Sequence, residues 1–405
     1  MRQDPSGAEL QPADGYAPLS DVLGQTHTLT ATEKKLLLTL RSALERHIVP
    51  HLESAWDEGN LPDSFIEDLE NLNLIDPPEL KESGEHVRPL FTAFRTFELA
   101  RCDINIATLY NAHAGLFRTA CLEGGDEEQR DYWKPRIDQH SIRGVFALTE
   151  PDHGSDIAGG LATSATQGAD GSWVINGAKR WIGGAGTADY LCTFARDTAD
   201  GQVKAFLVPT SAHGVSIEIL PAKSSLRIMQ NAEIHYQDVC VEPDARLRCI
   251  NSFKDVARCL RLMRSDVAWI ATGASAGAYE AAVAYVRERQ QFGKSLGSFQ
   301  LTQYKLAEML SLVSSSLALC MAVTERQSHG IYRDEDSALL KLTTARNLRR
   351  IVALAREVCG GNGILLSNAV SRFHADAEAV YSYEGTDDIN ALIVGRSITG
   401  KSAFV

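Results

Sequence analysis

The stretch Phe146-Ala147-Leu148-Thr149-Glu150-Pro151-Asp152-His153-Gly154-Ser155-Asp156 stands where the character of the sequence changes. It begins as an apolar strand, stops at a proline and continues into a polar turn that contains a glycine. Exposed amides and hydroxyls in such a turn can meet a phosphate or the polar edge of a planar ring. Because an ordinary strand-ending turn has the same pattern, the flanking sequence must decide its meaning.

Short segments rich in β-branched and aromatic residues follow one another from residue 144 to about 250, with turn signals between them. One such signal is Gly168–Gly171, and another is the pair Asn176-Gly177, which favours a type I′ hairpin. On both sides of this region apolar residues recur every three or four positions, as in helices. The sequence therefore predicts a mainly α protein with a central β-domain, divided into an arm (1–28), an N-terminal helical domain (29–143), a β-domain (144–250) and a C-terminal helical bundle (251–405).

The composition excludes several classes of protein. The 405 residues carry 40 Lys and Arg against 52 Asp and Glu, a net charge of −12, which disfavours nucleic acid and anionic membrane surfaces as partners. The start lacks the pattern of a secretory leader and the end lacks a peroxisomal signal, so we expect a cytoplasmic protein without membrane contact. Eight widely spaced cysteines without a C-x-x-C pair predict reduced thiols and no metal site. Neither of the two common glycine-rich nucleotide loops occurs, so any dinucleotide must be bound in another way.

Three further segments carry candidate chemistry. Lys179–Ala185 runs an aromatic strand into glycines, and its Trp181 is either a core residue or a partner for one face of a flat cofactor. Arg289 ends a long helix, where its guanidinium either serves the helix dipole or grips a pyrophosphate. In the last segment Gly360–Gly363 is equally typical of a helix stop, whereas Glu384 lies in an aromatic setting before a helix capped by Thr386 or Asp387.

Together these segments resemble the acyl-CoA dehydrogenase and oxidase superfamily from about residue 30 to the end. The resemblance rests on five motifs in family order and spacing. They are T-E-P-x-x-G-S-D at 149–156, K-R-W-I at 179–182, R-x-Q-F-G at 289–293, G-G-N-G at 360–363 and Y-E-G-T at 383–386. Within the superfamily the chain looks most like glutaryl-CoA dehydrogenases and plant-type short-chain acyl-CoA oxidases, including the ending Gly395–Gly400.

The resemblance implies a helical domain, a β-barrel-like domain and a C-terminal four-helix bundle, assembled as a homotetramer that shares FAD between subunits. The residues it assigns to the flavin ring are Phe146, Leu148, Thr149, Ser155, Trp181, Ile182 and Gly183. Those it assigns to the rest of the cofactor are Arg289, Gln291, Phe292, Gln300, Glu357, Val358, Cys359, Gly360, Gly361, Thr386, Asp388 and Phe404. For the acyl-CoA substrate it implies Ala107, Thr108, Ser155, Arg264 and Gly385.

In this family a carboxylate removes the α-proton of the thioester while the β-hydrogen leaves as hydride, which gives a trans-2-enoyl-CoA. Glu384 matches that base, and its backbone N–H matches a donor to the thioester oxygen. Some relatives place the base before a helical arginine, but Met263 precedes Arg264 here. Arg264 aligns with an active-site arginine, although pairing with Asp266 is an equally good interpretation.

Two positions depart from the pattern. Where glutaryl-CoA dehydrogenases bind the distal carboxylate with an arginine, this chain has Ala107, so we expect an uncharged short or branched acyl group. Where many dehydrogenases have a threonine near flavin N5, this chain has Gly183, which leaves O₂ open as electron acceptor beside an electron-transfer flavoprotein. A dehydrogenase is the leading hypothesis and an oxidase the alternative. Glutaryl-CoA dehydrogenation, flavin hydroxylation and a non-catalytic binding role are less favoured.

Overall fold

The computed structural model describes residues 15–403. The N-terminal domain is helical, and two of its helices begin with reciprocal capping boxes, Thr30 with Glu33 and Asp126 with Gln129. Its helices are α1 (Ala31–Ala43), α2 (Leu52–Glu58), α3 (Asp63–Asn71), α4 (Pro78–Glu82), α5 (Pro89–Cys102), α6 (Ile104–Asn111), α7 (Arg118–Gly124) and α8 (Glu127–Asp138).

The middle domain is a curled seven-stranded sheet. Its strands are β1 (Gly144–Ala147), β2 (Ser164–Gln167), β3 (Trp173–Ile182), β4 (Tyr190–Asp197), β5 (Val203–Pro209), β6 (Val215–Ile219) and β7 (Ala232–Val241), with the short helix α9 (Ile157–Gly160) after β1. The order is β1-β4-β2-β3-β7-β6, and β5 also pairs with β4. Strand β4 is parallel to β1 and β2 and antiparallel to β5, so the sheet bends around it.

The C-terminal domain is built from long helices. They are α10 (Phe253–Glu288), α11 (Gln300–Ser328), α12 (Asp334–Cys359), α13 (Ala369–Ser382) and α14 (Asp387–Thr399), and a hairpin of β8 (Gln290–Gln291) and β9 (Lys294–Ser295) connects α10 to α11. Helix α12 packs against α10, α11, α13 and α14 and forms the centre of the bundle. This arrangement is the predicted fold: helical, β, helical, with a bundle at the end.

Small side chains on α10 let its backbone lie directly against the backbone of α5. A Cβ added to Gly273 would lie 2.2 Å from the carbonyl oxygen of Phe97, and one added to Gly277 would lie 2.2 Å from that of Arg101. Any larger residue at either position would push the two helices apart. The alanine and glycine run of α10 therefore fixes the spacing between the N-terminal and C-terminal domains.

The described part of the predicted arm lies on the N-terminal domain. Tyr16 is fully buried, donates its hydroxyl to Glu98 at 2.8 Å and packs edge-on against Phe94. The guanidinium carbon of Arg41 lies over the Tyr16 ring, 4.9 Å from the ring centroid. The prediction that the arm is ordered where it lies on other structure agrees with these contacts for residues 15–28.

One local prediction was wrong. Asn176-Gly177 forms no hairpin turn, because β3 runs straight through it with a bulge against β7, while Gly168–Gly171 does connect β2 to β3.

Helices α6 and α7 are not one continuous helix, since residues 112–117 form a π-helical turn between them.

Helix α11 is apolar enough to satisfy a test for a membrane-spanning segment. One 18-residue window of it has a mean hydropathy of 1.8, and 33% of that window is buried. It is the one helix among residues 15–403 that passes, by length and composition only, and it packs against α10 and α12 in the bundle. The expectation of no membrane contact stays a prediction.

A buried polar junction joins all three domains. Asn105 of α6 donates to Asp103 at 2.9 Å and to Asp376 of α13 at 2.7 Å, and its carbonyl oxygen accepts from the amides of Ile228 and Met229. Burial raises the pKa of both carboxyls, and Asp103 adds to the effect at Asp376. One amide side chain thus satisfies groups from α6, α13 and the β6–β7 loop.

Replacing Asn105 with leucine is expected to lower the free energy of unfolding by about 3 kcal/mol, because two amides and two carboxyls lose a buried partner. Urea denaturation at fixed protein and FAD concentrations measures the change. The control is Asn60→Ala, an exposed asparagine whose loss is expected to cost less than about 0.5 kcal/mol. Equal midpoints for the two variants would contradict this account of the junction.

Candidate active site

The first two motifs lie side by side at one end of the sheet. Buried Lys179 donates to the Glu150 carboxylate at 2.8 Å and to the Leu148 carbonyl at 3.1 Å, and Glu150 also accepts from the amides of Ala162 and Thr163. Burial lowers the pKa of Lys179 to about 8, and Glu150 opposes the shift. This ion pair fixes the turn that carries Ser155 next to the end of β3.

Trp181 ends β3 as a projecting side chain instead of a core residue. Its φ is +67°, an unfavourable conformation for a bulky residue, and 55% of its surface is exposed. The guanidinium of Arg180 lies 5.6 Å from the ring centroid. An exposed indole held next to Gly183 and Gly184 suits the face of a planar cofactor such as a flavin ring.

Gly183 leaves space that another residue fills. A Cβ added there would lie 2.2 Å from Cε of Met229, so a threonine at this position requires Met229 to move. Met229 is buried in the β6–β7 loop. This contact could not be predicted from the sequence, because the two residues are 46 positions apart.

Three residues predicted at the flavin ring use their side chains elsewhere. Leu148 and Ile182 are buried in the two hydrophobic cores, and Phe146 packs on Phe194 with ring centroids 4.6 Å apart. The side chains of Leu148 and Ile182 therefore do not reach a ligand at the surface. Thr149 is partly exposed and Ser155 is exposed.

The residues predicted for the pyrophosphate and adenine lie on the surface of the C-terminal domain. Arg289, Gln291 and Gln300 are exposed, and Phe292 is 93% exposed at the tip of the β8–β9 hairpin. An aromatic ring presented to this extent is typical of a surface that another chain or a ligand covers. Sharing of the cofactor between subunits stays a prediction.

The end of α12 lies near that hairpin. Gly360 has a φ of +56° and stops the helix, as its sequence suggested, while Glu357 is exposed and pairs with Lys305 at 2.7 Å. Val358 and Cys359 are directed towards the core, and Gly361 is exposed. Phe404, the remaining predicted contact, lies outside the described residues.

Glu384 occupies a strained turn between α13 and α14. Its φ is +54°, which non-glycine residues adopt rarely and mostly where surrounding contacts impose it. Lys341 of α12 supplies such contacts: its Nζ, on a residue only 1% exposed, donates to the carbonyls of Tyr381 at 2.9 Å and Gly385 at 2.8 Å. Asn390 donates to the Gly385 carbonyl as well, at 2.8 Å.

The start of α14 completes the turn. Thr386 accepts from the amide of Ile389 and is the N-cap, the first of the two caps that the sequence allowed. Asp387 instead pairs with Arg346 at 2.7 Å, and Asp388 is exposed. Contacts from α12 and α14 therefore hold Glu384 from both sides.

The electrostatic setting of Glu384 suits a proton acceptor. Burial raises the pKa of Glu384, while the positive charges of Arg264 and Lys341 oppose that rise. Burial also lowers the pKa of Lys341 to about 8, and Glu384 and Asp387 counteract it. A carboxylate with a raised pKa beside two cations is a common arrangement for general acid–base chemistry.

Arg264 forms no ion pair with Asp266, which rules against the alternative interpretation of this arginine. Residues two positions apart point to different sides of a helix. Burial lowers the pKa of Arg264, while Glu384 and Asp334 raise it, and its Nε is buried without a hydrogen-bond partner among the described residues. The charge of Arg264 is therefore available to the space around Glu384.

Helix α6 forms the opposite wall of that space. The hydroxyl of Thr108 lies 3.3 Å from the hydroxyl of Tyr383, the residue before Glu384. Ala107 is buried and brings no charge to this wall. Farther along the wall, Asp266 of α10 approaches Gly115 of the π-helical turn. Burial raises the pKa of Asp266 to about 7, and the negative charge of Glu384 adds to this.

The structure thus brings Glu384, Arg264, Thr108 and Gly385 together, and it adds Lys341 and Asp266, which the sequence analysis did not select. Lys341 interrupts the apolar run Ala338–Leu342, and Asp266 directly precedes the apolar run Val267–Ile270. A charged residue at a position where the helical pattern predicts burial is the sequence feature that could have identified them.

Three family profiles cover most of the chain. The acyl-CoA dehydrogenase N-terminal domain matches residues 30–139, the middle domain residues 145–239 and the C-terminal domain residues 253–399. The chain therefore belongs to the acyl-CoA dehydrogenase family. It is an oxidoreductase of the CH–CH group of acyl-CoA thioesters, and enzymes of this family use FAD.

Individual relatives agree with this. The short-chain specific acyl-CoA dehydrogenase from mitochondria of Rattus norvegicus is 29% identical over 377 residues, which cover 91% of this chain and 90% of the rat protein. A glutaryl-CoA dehydrogenase structure from Mycobacterium smegmatis is 33% identical, with a TM-score of 0.88, and the match covers 95% of this chain and 99% of that one. Another, in complex with FADH2, is 29% identical, with a TM-score of 0.89 and coverage of 96% and 100%.

Proposed function

We propose that the chain catalyses FAD-dependent α,β-dehydrogenation of a short-chain or branched acyl-CoA thioester to the trans-2-enoyl-CoA, with Glu384 as the base. The observation that carries this proposal is the environment of Glu384. Glu384 lies in a strained turn, and buried Lys341 holds the carbonyl of the next residue, Gly385. Burial raises the pKa of the Glu384 carboxyl, and the charge of Arg264 acts on it. Such a group can take a weakly acidic proton next to a thioester carbonyl.

The turn also offers a donor for the thioester oxygen. The backbone N–H of Glu384 has no acceptor among residues 15–403, so it is free to stabilise the negative charge that develops when the α-proton leaves. FAD, when bound, supplies the acceptor for the β-hydrogen as hydride. The exposed Trp181 and the hydroxyls of Thr149 and Ser155 would hold the flavin ring, and Arg289 would hold the pyrophosphate.

The acyl group is expected to be uncharged. Ala107 is buried on α6 and has no guanidinium to pair with a carboxylate. The distal carboxylate of a glutaryl group would therefore be buried without a partner. Although both Mycobacterium smegmatis structures are glutaryl-CoA dehydrogenases, the alanine argues against glutaryl-CoA as substrate of this chain.

Anaerobic titration of the purified holoenzyme with acyl-CoA thioesters tests the proposal. Butyryl-CoA and isobutyryl-CoA are expected to bleach the flavin absorbance, and glutaryl-CoA to bleach it at least about tenfold more slowly. Faster bleaching by glutaryl-CoA would overturn the substrate assignment. Absence of bleaching by every thioester would overturn the proposed reaction.

A second candidate, an oxidase that passes electrons to O₂, is favoured by Gly183. A glycine provides no hydroxyl for the reactive part of the flavin, and Met229 occupies the adjacent space. Release of hydrogen peroxide in air, equal in amount to the enoyl-CoA formed, would select the oxidase. An electron-transfer flavoprotein is the proposed acceptor otherwise.

The Met229 contact predicts the behaviour of two variants. Gly183→Thr places a Cβ 2.2 Å from Met229 Cε and is expected to weaken FAD retention by overpacking. Gly183→Thr combined with Met229→Ala opens the space and is expected to restore retention, measured as the flavin-to-protein absorbance ratio after gel filtration. Equal retention by the single variant and the native protein would contradict the contact.

We propose further that the chain is a homotetramer located in the cytoplasm. Exposed apolar side chains support the assembly, among them Phe292, Leu301, Tyr304, Ile364 and Ile398 in the C-terminal domain. Analytical ultracentrifugation of the holoenzyme would measure the oligomeric state.

A further inference from the structure

Two polar side chains converge on Gly115 in the wall of the site. A Cβ built on Gly115 would lie 2.0 Å from Oδ1 of Asn111 and 3.0 Å from Oδ2 of Asp266. Asn111 belongs to α6 and Asp266 to α10, so the two oxygens come from helices that face each other. The absence of a side chain at Gly115 is what allows Asn111 to lie there.

Neither side chain has a hydrogen-bond or ion-pair partner within residues 15–403. Asn111 is only 8% exposed, and an unpaired amide in such a position is unusual in a folded protein. Asp266 is partly buried; the charge of Arg95 opposes the rise of its pKa, but no hydrogen bond contributes to that pKa. Neither is among the polar groups fully closed off from solvent, so water can reach both side chains.

The space around Gly115 adjoins Glu384. Asn111 follows Thr108 by one helical turn on the same side of α6, and Thr108 contacts Tyr383 next to the base. Asp266 of α10 lies close enough to Glu384 for the negative charge of Glu384 to raise its pKa. A chain attached to a thioester at Glu384 and running between α6 and α10 would meet Asn111 and Asp266.

We propose that Asn111 and Asp266 form a subsite for a hydroxyl group on the acyl chain, at C4 or beyond, so that the preferred substrates are hydroxyacyl-CoA thioesters. The inference rests on the proposed function and specifies its substrate class. A hydroxyl can donate its proton to the Asp266 carboxylate and accept from the NH₂ group of Asn111, which a half-turn of the amide brings to the position of Oδ1. An alkyl chain would leave both polar groups buried without partners when it displaces water from them.

The test compares thioesters of equal size with and without the hydroxyl. Anaerobic flavin reduction is measured with 4-hydroxybutyryl-CoA against pentanoyl-CoA, and with 5-hydroxypentanoyl-CoA against hexanoyl-CoA. At least one hydroxyacyl-CoA is expected to exceed its alkyl counterpart in kcat/KM by about tenfold or more. Isothermal titration of these thioesters into the Glu384→Gln holoenzyme, where turnover is blocked, is expected to show the same order of affinity.

Two variants remove the subsite by different routes. Asp266→Val deletes the carboxylate, and Gly115→Ala places a methyl group against Asn111 and turns its amide away. Both are expected to lower the preference ratio to about one or below, whereas Asp266→Asn is expected to keep an intermediate ratio. Glu325→Gln, which removes an exposed carboxylate on α11, is the control and should keep the native ratio.

The outcomes separate this inference from the proposed function. Flavin reduction by alkyl thioesters at rates equal to or above those of both hydroxyacyl-CoA thioesters would overturn the hydroxyl subsite alone. A native ratio in Asp266→Val would overturn it as well. Absence of reduction by every thioester, alkyl or hydroxylated, would overturn the proposed dehydrogenation on which the inference depends.

Discussion

Replacing Glu384 with glutamine is expected to slow flavin reduction by butyryl-CoA by about a thousandfold or more while FAD stays bound. Glutamine keeps the size of the side chain but cannot accept the α-proton. Stopped-flow absorbance of the anaerobic holoenzyme measures the rate. Glu378→Gln, which removes an exposed carboxylate from α13, is the matched control and should reduce at the native rate.

The native enzyme should also show the effect of the raised pKa. Glu384 accepts a proton only when it is ionised, so the reduction rate should increase with pH through a pKa above the ordinary value of 4.5. This increase should be absent in Glu384→Gln. Reduction of the variant at the native rate would remove Glu384 as the base.

Replacing Lys341 with methionine is expected to lower kcat by about a hundredfold, because the turn around Glu384 loses two of its supports and the carboxylate is displaced. Lys341 touches neither reacting atom in this account; it acts as a positioning residue. Methionine has a similar length and is apolar, so the buried position remains filled. Stopped-flow reduction across pH, with FAD content checked, is the measurement.

Two further readouts distinguish positioning from general destabilisation. The charge of Lys341 holds the pKa of Glu384 down, so its removal should shift the rise of rate with pH to higher pH. Lys341→Met should lower kcat by a larger factor than it changes KM. Lys254→Met, at an exposed position at the start of α10, should change neither. An unchanged pH profile in Lys341→Met would contradict the assigned role.

Much of the fold was predictable because its patterns are local. The change from helical to strand periodicity near residue 144 and back after residue 250 is visible in the sequence. The cap of α14 was narrowed to Thr386 or Asp387, and the structure has Thr386. The Asn176-Gly177 prediction was wrong because pairing along the whole length of β3 with β7 outweighs the preference of two residues for a turn. The π-helical turn after Asn111 had no sequence signal that periodicity could detect.

The sequence predicts the site residues that belong to motifs, but not the residues that long-range packing brings to the site. Glu384 follows from its motif, but the support from Lys341 depends on helix α12 crossing the turn 43 residues later in the chain. The convergence of Asn111 and Asp266 depends on how closely α6 and α10 pack. Likewise, burial of the Leu148 and Ile182 side chains follows from the curl of the sheet. In the sequence, such long-range contacts are visible only as a charged residue or a glycine at a position where the helical pattern predicts an apolar side chain.

The glycines of α10 also limit how this enzyme can acquire a new specificity. Gly273 and Gly277 set α10 against the α5 backbone, and α6 follows α5 after a single residue. The spacing between α5 and α10 is therefore fixed, and spreading these helices to widen the proposed acyl cavity would break the contact between the two domains. Adaptation to other acyl groups has to proceed by exchanging individual side chains on fixed walls, and a few substitutions at positions such as Asp266 and Asn111 should then suffice to redirect the catalyst.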